Sequence, residues 1–250
     1  MYDDRQARLV ARHYDASYAV MRDPSGDIEF YRRLAHEVGG PLLELGCGTG
    51  RTLLPIARDG VECVGLDASA AMLEVLRAKS PPPNLCLIEG NMESLDLDAQ
   101  RFRLITCPFR AFSHLLDTDA QLAALTRIRR HLAEGGVFAF DVFDPKPQSL
   151  ARSADPEQLA VTFYQDGTRI ERWDSVTRDL SRQVLSVEFR YRSEVPELDG
   201  SARIELRWFH RFELEHLLAR SGFADVTFFR SFDRQAWQAG RETIVIARVG

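Results

Sequence analysis

Residues 43–51 read LELGCGTGR, with glycines at 46, 48 and 50. Glycine lacks Cβ, so such a bend can take positive φ and come close to a ligand. Two acids flank it. Glu44 precedes the bend, and Asp67 ends the run VGLDAS further along. A carboxylate about 20 residues after a glycine loop can accept the hydroxyls of a ribose. The dinucleotide fingerprint wants a third small residue where this chain has Arg51, and no G-K-[ST] follows, so a pyrophosphate or P-loop ligand is disfavoured. Glu44 also repels a phosphate and attracts an ammonium group or its bound water. The ligand described by this chemistry has an adenosine head, no phosphate and an amino-acid tail.

Bases and metal ligands are sparser. His114, in AFSHLL after the fourth apolar run, is the best-placed general base, because imidazole changes charge near neutral pH. Its competing role is to cap the next helix or to pack beneath the ligand. His210, just before a helical pattern at 212–221, is the second candidate. His13, His36, His131 and His216 fall on helical stretches and read as surface residues. Asp141 and Asp144 stand at a strand end without a convincing third ligand, so a turn explains them and no metal is expected. Cys47, Cys63, Cys86 and Cys107 are too scattered for a zinc clamp or redox pair. Three lie in apolar runs and read as small buried hydrophobes of a reducing cytoplasm.

These residues need a scaffold. Apolar runs at 42–45, 61–66, 84–88, 102–107 and 136–143 are mostly separated by helical patterns at 50–58, 69–79 and 119–133. That alternation predicts βαβ units, hence a parallel sheet with helices on both faces. Thr118 with Gln121 fits a capping box opening the third helix. Leu122, Leu125, Ile128 and Leu132 form its buried stripe, and Gly135 with Gly136 stops it. Residues 1–26 read as a helical arm or lid, and a second helix from Ile28 ends at Gly39-Gly40-Pro41. After Asp144 the pattern changes. From about 160 to 209 polar and apolar residues alternate as in half-buried antiparallel strands. Asp166-Gly167 is a hairpin signal. The expected fold is α/β: a doubly wound, mostly parallel seven-stranded sheet (27–145 and 211–250) with an inserted antiparallel lobe (146–210). TIVIARV, apolar on both faces, belongs in the interior of the main sheet.

Composition narrows the class. The chain has 250 residues, 45% hydrophobic and 28% charged, with a formal net charge of -5, an ordinary globular balance. It has no run of four or more Lys or Arg, whereas a nucleic-acid binder normally shows a basic face. No apolar stretch approaches the ~20 residues of a membrane span, and the charged N-terminus is not a signal peptide. A cytoplasmic protein is expected.

In order along the chain, ELGCGTG, GLDAS, EGNMESLDL and LAEGGVFAFDVF resemble the successive motifs of class I S-adenosylmethionine-dependent methyltransferases. The resemblance runs from about 28 to 145 and resumes weakly at HLLARSGF. It implies a Rossmann-like sheet with a reversed last strand, S-adenosylmethionine as cofactor and S-adenosylhomocysteine as product. Carried over by position, Glu44, Gly46, Cys47, Gly48 and Gly50 surround the methionine moiety. Asp67 takes the ribose, Ala68 and Met72 flank the adenosine, and Asn91 and Met92 meet the adenine edge. Asn91 stands where the family often has Asp; its amide oxygen still accepts a hydrogen bond. Pro108, Phe109 and Arg110 lie near the sulfonium, and Tyr14 resembles a tyrosine that covers the cofactor. Cys107-Pro108-Phe109 lacks the second proline of the DNA amino-methyltransferase turn, which again disfavours nucleic acid. The insertion resembles those of bacterial small-molecule enzymes, including sugar amine N-methyltransferases, and implies a small-molecule acceptor with N or O undecided. Phe163, Tyr164, Trp173, Phe189, Tyr191, Trp208 and Phe209 divide between the insertion's own core and either an acceptor pocket or a homodimer contact. Two other classes stay open: a nicotinamide-dependent oxidoreductase and a non-catalytic S-adenosylmethionine-binding protein.

Overall fold

The computed structural model describes residues 4–21, 25–240 and 242–249. Two helices, α1 (Asp4–Met21) and α2 (Ser25–Val38), lead into an alternation of β1 (Leu42–Leu45), α3 (Leu53–Arg58), β2 (Cys63–Asp67), α4 (Ala70–Ala78) and β3 (Leu85–Glu89). Next come β4 (Phe102–Cys107), α5 (Thr118–His131) and β5 (Leu132–Phe143). A short α6 (Pro147–Leu150), absent from the sequence reading, opens four strands: β6 (Ala154–Gln165), β7 (Thr168–Asp179), β8 (Val184–Arg192) and β9 (Gly200–Arg207). The chain closes with α7 (Arg211–Arg220), β10 (Phe223–Phe229) and β11 (Glu242–Val249).

The main sheet has the order β10-β11-β5-β4-β1-β2-β3. β11 runs antiparallel to both of its neighbours, while β1 to β5 pair in parallel. TIVIARV thus lies inside the sheet, as its two apolar faces demand. One core packs α5 and α7 (Leu125, Ile128, Leu214, Leu218) against Phe138 and Phe140. The other packs α2, α3 and α4 (Tyr31, Leu34, Leu53, Ile56, Leu73, Leu76) against the opposite face. Strand order reverses at β1, which has β2 on one side and β4 on the other. In doubly wound sheets ligands bind outside the carboxyl ends of the strands at such a switch point.

β6 to β9 form a separate antiparallel meander. Asp166 and Gly167 both have positive φ (51° and 79°), and Gln165 pairs Thr168 around them, a two-residue turn whose twist suits the hairpin. The inner face buries Phe163, Ile170, Phe189 and Tyr191, and Leu9 and Ala16 of α1 pack against it. Tyr164 is exposed and Trp173 donates to Glu171 beside Arg192 on the outer face. Phe209 instead joins the main core against Phe112.

Several local expectations are corrected. The cap of α5 is Asp117, whose carboxylate accepts from Ala120 N (2.9 Å), and Gln121 turns inward to donate to Leu115 O (2.9 Å). α5 stops at His131 and the chain enters β5 directly at Leu132, which pairs Phe102. Gly135 (φ 66°) and Gly136 serve the irregularity that follows inside the strand, where a Cβ on Gly136 would lie 2.8 Å from Ala133 O. His13 and His131 are buried, contrary to the surface reading. His13 lies between Gln165 Oε1 (2.7 Å) and Leu198 O (3.1 Å), and His131 Nε2 accepts from Leu97 N (3.0 Å). Cys47, Cys63 and Cys107 are buried, but Cys86 is exposed on the sheet's edge strand.

Candidate functional site

The carboxyl end of β1 is the centre of the site. Gly46, Gly48 and Gly50 all have positive φ (68°, 52° and 80°). Their surroundings differ. A Cβ on Gly46 would fall 2.6 Å from Ala111 Cβ, and one on Gly50 would fall 2.3 Å from Leu76 Cδ1. On Gly48 it would meet nothing within 4 Å. Two glycines therefore let neighbouring elements close on the bend, and the middle one leaves it open to a ligand. Asp67 holds the shape: one carboxylate oxygen accepts from Gly48 N (2.7 Å) and the other from Ser69 N (2.8 Å). Burial raises its pKa, opposed by those two amides. A carboxylate offers about four lone-pair sites, so acceptor capacity remains for a ligand.

Glu44 points into the interior from a strand whose other residues are leucines. It sits in register with Thr106 on β4, both fully enclosed, and Glu44 Oε2 and Thr106 Oγ1 have no hydrogen-bond partner among the described residues. Burial lifts the Glu44 carboxyl to about 8, with the Arg51 guanidinium opposing, the Asp67 charge adding, and the Leu53 amide and nearby Thr106 hydroxyl also opposing; Oε2 is the oxygen left without a partner. An enclosed acid short of a donor is costly unless something cationic or hydrogen-bonding completes it. Cys47 lines the same bend as a buried thiol that burial keeps protonated.

The turn leaving β4 forms the facing wall. Pro108 is buried, and Phe109 and Arg110 have φ of 56° and 62° with no glycine to ease them. Such conformations cost of order 1–3 kcal/mol each and persist where the surroundings enforce them. Asp141 of β5 supplies the enforcement: its carboxylate accepts from Phe109 N (2.8 Å), Arg110 N (3.1 Å) and Tyr31 Oη (2.8 Å). The Phe109 ring meets Tyr18 edge-on (5.0 Å between centroids) and lies 6.2 Å from Tyr14. Arg51 lies over that ring at 4.5 Å and pairs with Asp27 (2.6 Å). Arg110 pairs with Glu242. The arm is anchored to the bend, since Asp15 accepts from Thr49 Oγ1 (2.6 Å) and pairs with Lys79 (2.6 Å). Tyr14 is thereby brought beside the bend, where burial raises its phenol pKa. A cavity of about 280 Å³ opens here, lined by Tyr18, Ile28, Gly50, Arg51 and Phe109 among others.

The remaining sequence candidates spread along the same sheet edge. Ala68 is exposed just past β2, and Met72 N donates to Ser69 Oγ at the start of α4. Asn91, exposed, caps the short turn Met92–Ser94 after β3, and Met92 packs on the core. His114 ends the turn Ala111–His114. Solvent reaches its ring, yet the protein crowded around it lowers its pKa by desolvation. His210 is tied to buried Asp144 (Nδ1 to Oδ1, 2.9 Å), which also accepts from Gly240 N. Among the described residues, no group of three or more His, Cys, Asp or Glu is placed to hold a metal.

Sequence reasoning missed Asp15, Asp27, Tyr31, Lys79 and Thr106, and it took Asp141 for a turn residue. One signal was available. Asp141 is the lone acid in the otherwise apolar VFAFDVF, and a charge in a buried strand needs partners.

The profile of the family described as "Methyltransferase domain" matches residues 42–136. The cypemycin N-terminal methyltransferase of a Streptomyces species is 33% identical over 149 residues, 60% of this chain and 59% of that protein. The chain thus spans less than two thirds of that curated relative's length. The solved CcbJ methyltransferase of Streptomyces caelestis superposes with a TM-score of 0.75 at 27% identity, covering 92% of this chain and 97% of its own. SAM-bound CalS10, an amino pentose methyltransferase of Micromonospora echinaspora, gives 0.67 at 25% identity, covering 92% and 94%.

Proposed function

We propose that the chain is a class I methyltransferase of the small-molecule type, which moves the methyl group of S-adenosylmethionine to a small acceptor, at an amine nitrogen in preference to oxygen. The observation that carries this reading is the enclosed, donor-short Glu44 beside the one glycine of the bend that faces open space. The site fits the cofactor on both counts. Its ammonium group, directly or through water, completes Glu44, and its methionine moiety passes over Gly48. Asp67 takes the ribose hydroxyls with its remaining lone pairs. Ala68, Met72, Asn91 and Met92 line the adenine side, and Tyr14 covers the cofactor from the arm.

When bound, the cofactor supplies an already activated sulfonium methyl, so the protein's task is position. Holding an acceptor in line is worth roughly 7–11 kcal/mol. The Phe109–Arg110 turn is the wall against which that alignment is made. His114, kept neutral near pH 7 by its lowered pKa, accepts the proton that an ammonium acceptor must lose before attack. Val176, Val187 and Ile204 are half-buried and in register across β7, β8 and β9, and Val187 and Ile204 pack on the meander's core. The nitrogen preference is supported by the N-terminal acceptor in the cypemycin enzyme's name and by the amino sugar in that of CalS10. A small acceptor, not a nucleic acid, suits the net charge of -5 and an outer sheet face on which Glu157 pairs Arg190 and Arg192. No described helix is long and apolar enough to cross a membrane.

Titration calorimetry with S-adenosylhomocysteine, followed by transfer of labelled methyl to a panel of amines and phenols, tests the reading. Tight binding with labelled amine product is expected. No binding at the bend removes the proposal, and binding without turnover of any acceptor leaves only a cofactor-binding protein.

A further inference from the structure

Asp141 is fully buried and hydrogen-bonded to the wall of the site. We propose that Asp141, oriented by Tyr31, is a positioning residue for methyl transfer: it clamps the Phe109–Arg110 turn in its left-handed conformation and so fixes the wall that aligns acceptor and methyl. The inference rests on the methyl-transfer reading above.

The geometry carries it in three steps. First, consecutive left-handed residues point successive backbone N–H groups to the same side, and here both converge on one carboxylate. Neither residue is glycine, so the conformation needs that anchor. Second, the anchor is itself held. Tyr31 on α2, fully buried, donates to the oxygen that also receives Phe109 N, and burial beside the carboxylate keeps its phenol protonated. Third, the conformation has a consequence for side chains. It sends the Phe109 ring against Tyr18, Tyr14 and the Arg51 guanidinium, joining arm, bend and turn into one wall. The Arg110 side chain goes instead to Glu242 and over Phe143. Release of the clamp lets the turn relax and moves the ring, while Glu44, Asp67 and the glycines stay in place. A misplacement of about 1 Å at an alignment step can cost about 10²-fold in rate.

The test compares wild type, Asp141→Asn, Arg110→Gly and the double variant. The amide introduced by D141N offers one oxygen where the carboxylate had two, so it cannot hold both N–H groups and the phenol. Expected for D141N are a kcat lower by about 10²-fold and an S-adenosylhomocysteine Kd unchanged within about threefold. Glycine at 110 takes the left-handed conformation unaided, so D141N in the R110G background, read against R110G alone, should cost about tenfold or less. Full kcat in D141N, an equal loss in both backgrounds, or a Kd that weakens in step with kcat would each overturn the clamp. If D141N does not fold at the assay temperature, Tyr31→Phe is read the same way, with a loss in kcat and none in Kd. Amide hydrogen exchange separates the two levels of the argument. If wild type binds no S-adenosylhomocysteine, the methyl-transfer reading fails. The clamp is then judged by Phe109 and Arg110 amides, protected in wild type and unprotected in D141N; equal protection in both rejects it.

Discussion

Replacing Glu44 by glutamine separates what this residue does for the ligand from what it costs the fold. Its carboxyl is raised to about 8, first by burial. At pH 6 only about one molecule in a hundred of the ligand-free protein carries the charge, and at pH 8 about half do. An ammonium group needs the charged form. The advantage of wild type over E44Q in binding S-adenosylhomocysteine should therefore grow by roughly tenfold between pH 6 and 8. At the upper end it approaches the value of a charge-assisted hydrogen bond, ~1.5–3 kcal/mol. Binding at pH 7 should release close to one proton in wild type and none from this site in E44Q. Calorimetry in two buffers of different ionisation enthalpy reads that directly. 5′-Methylthioadenosine, which lacks the amino-acid tail, should bind both proteins alike. Stability moves the opposite way. The folded pKa lies above the unfolded value, so the folded state binds the extra proton and loses stability as pH rises from about 4.5 through 8. Ligand-free E44Q should thus melt no lower than wild type at pH 8. A Kd ratio that stays flat with pH, or equal proton release in both proteins, would refute the assignment of Glu44 to the ammonium.

The other expectations are as direct. His114→Ala should lower kcat about 10²-fold or more with an amine acceptor and leave S-adenosylhomocysteine affinity alone; in wild type the acid limb of kcat/KM should fall below pH 6.5 because the imidazole pKa is lowered, and in the variant that limb should vanish. Gly48→Ala and Gly50→Ala should part company. Both carry the strain of a positive φ, but the Cβ at 50 also strikes Leu76 and costs a further ~1–3 kcal/mol of stability in denaturant titration, whereas the Cβ at 48 meets no atom and adds instead a loss in ligand binding. Asp67→Ala should weaken S-adenosylhomocysteine by about 2–3 kcal/mol, with a smaller loss for an analogue lacking the ribose hydroxyls; an equal loss for both would assign Asp67 to the bend alone.

The main sheet was readable because its strands obey one rule along their whole length. β1 is buried at every position and is apolar but for Glu44, and the buried stretch of TIVIARV is readable for the same reason. The Asp166-Gly167 turn was readable because positive φ at two successive positions leaves a local chemical signature. Asp67 was found by its spacing from the glycines. What escaped depends on distant partners. His13 looks like any helix-surface histidine until Gln165 and Leu198, more than 150 residues away, close on it. Asp141 looks like a turn until Phe109 and Arg110 present their amides. The end of α5 was misplaced for a simpler reason: Gly135 and Gly136 bear a helix-stop signature, but the strand uses them for its own irregularity.

Several of the main sheet's rule-breaking residues gather at one place. An acid in a leucine strand, an unpaired threonine hydroxyl beside it and two left-handed residues without glycine all lie within one crevice at the carboxyl ends of β1, β4 and β5. Elsewhere in the main sheet, propensity, burial and pairing agree. A sequence selected for stability alone would remove each of these conflicts, since each has an obvious stabilising replacement. The conflicts are resolved separately: Asp141 holds the turn within the protein itself, and the cofactor gives Glu44 its cation. Saturating S-adenosylhomocysteine at 100 times its Kd should then raise stability by about 2.7 kcal/mol. Most of the raised protection should fall on the amides of residues 44–50, the segment that carries Glu44 and the glycine bend. A ligand-induced rise spread evenly over the β6–β9 meander would place the binding energy elsewhere and break the link between the strained crevice and the cofactor.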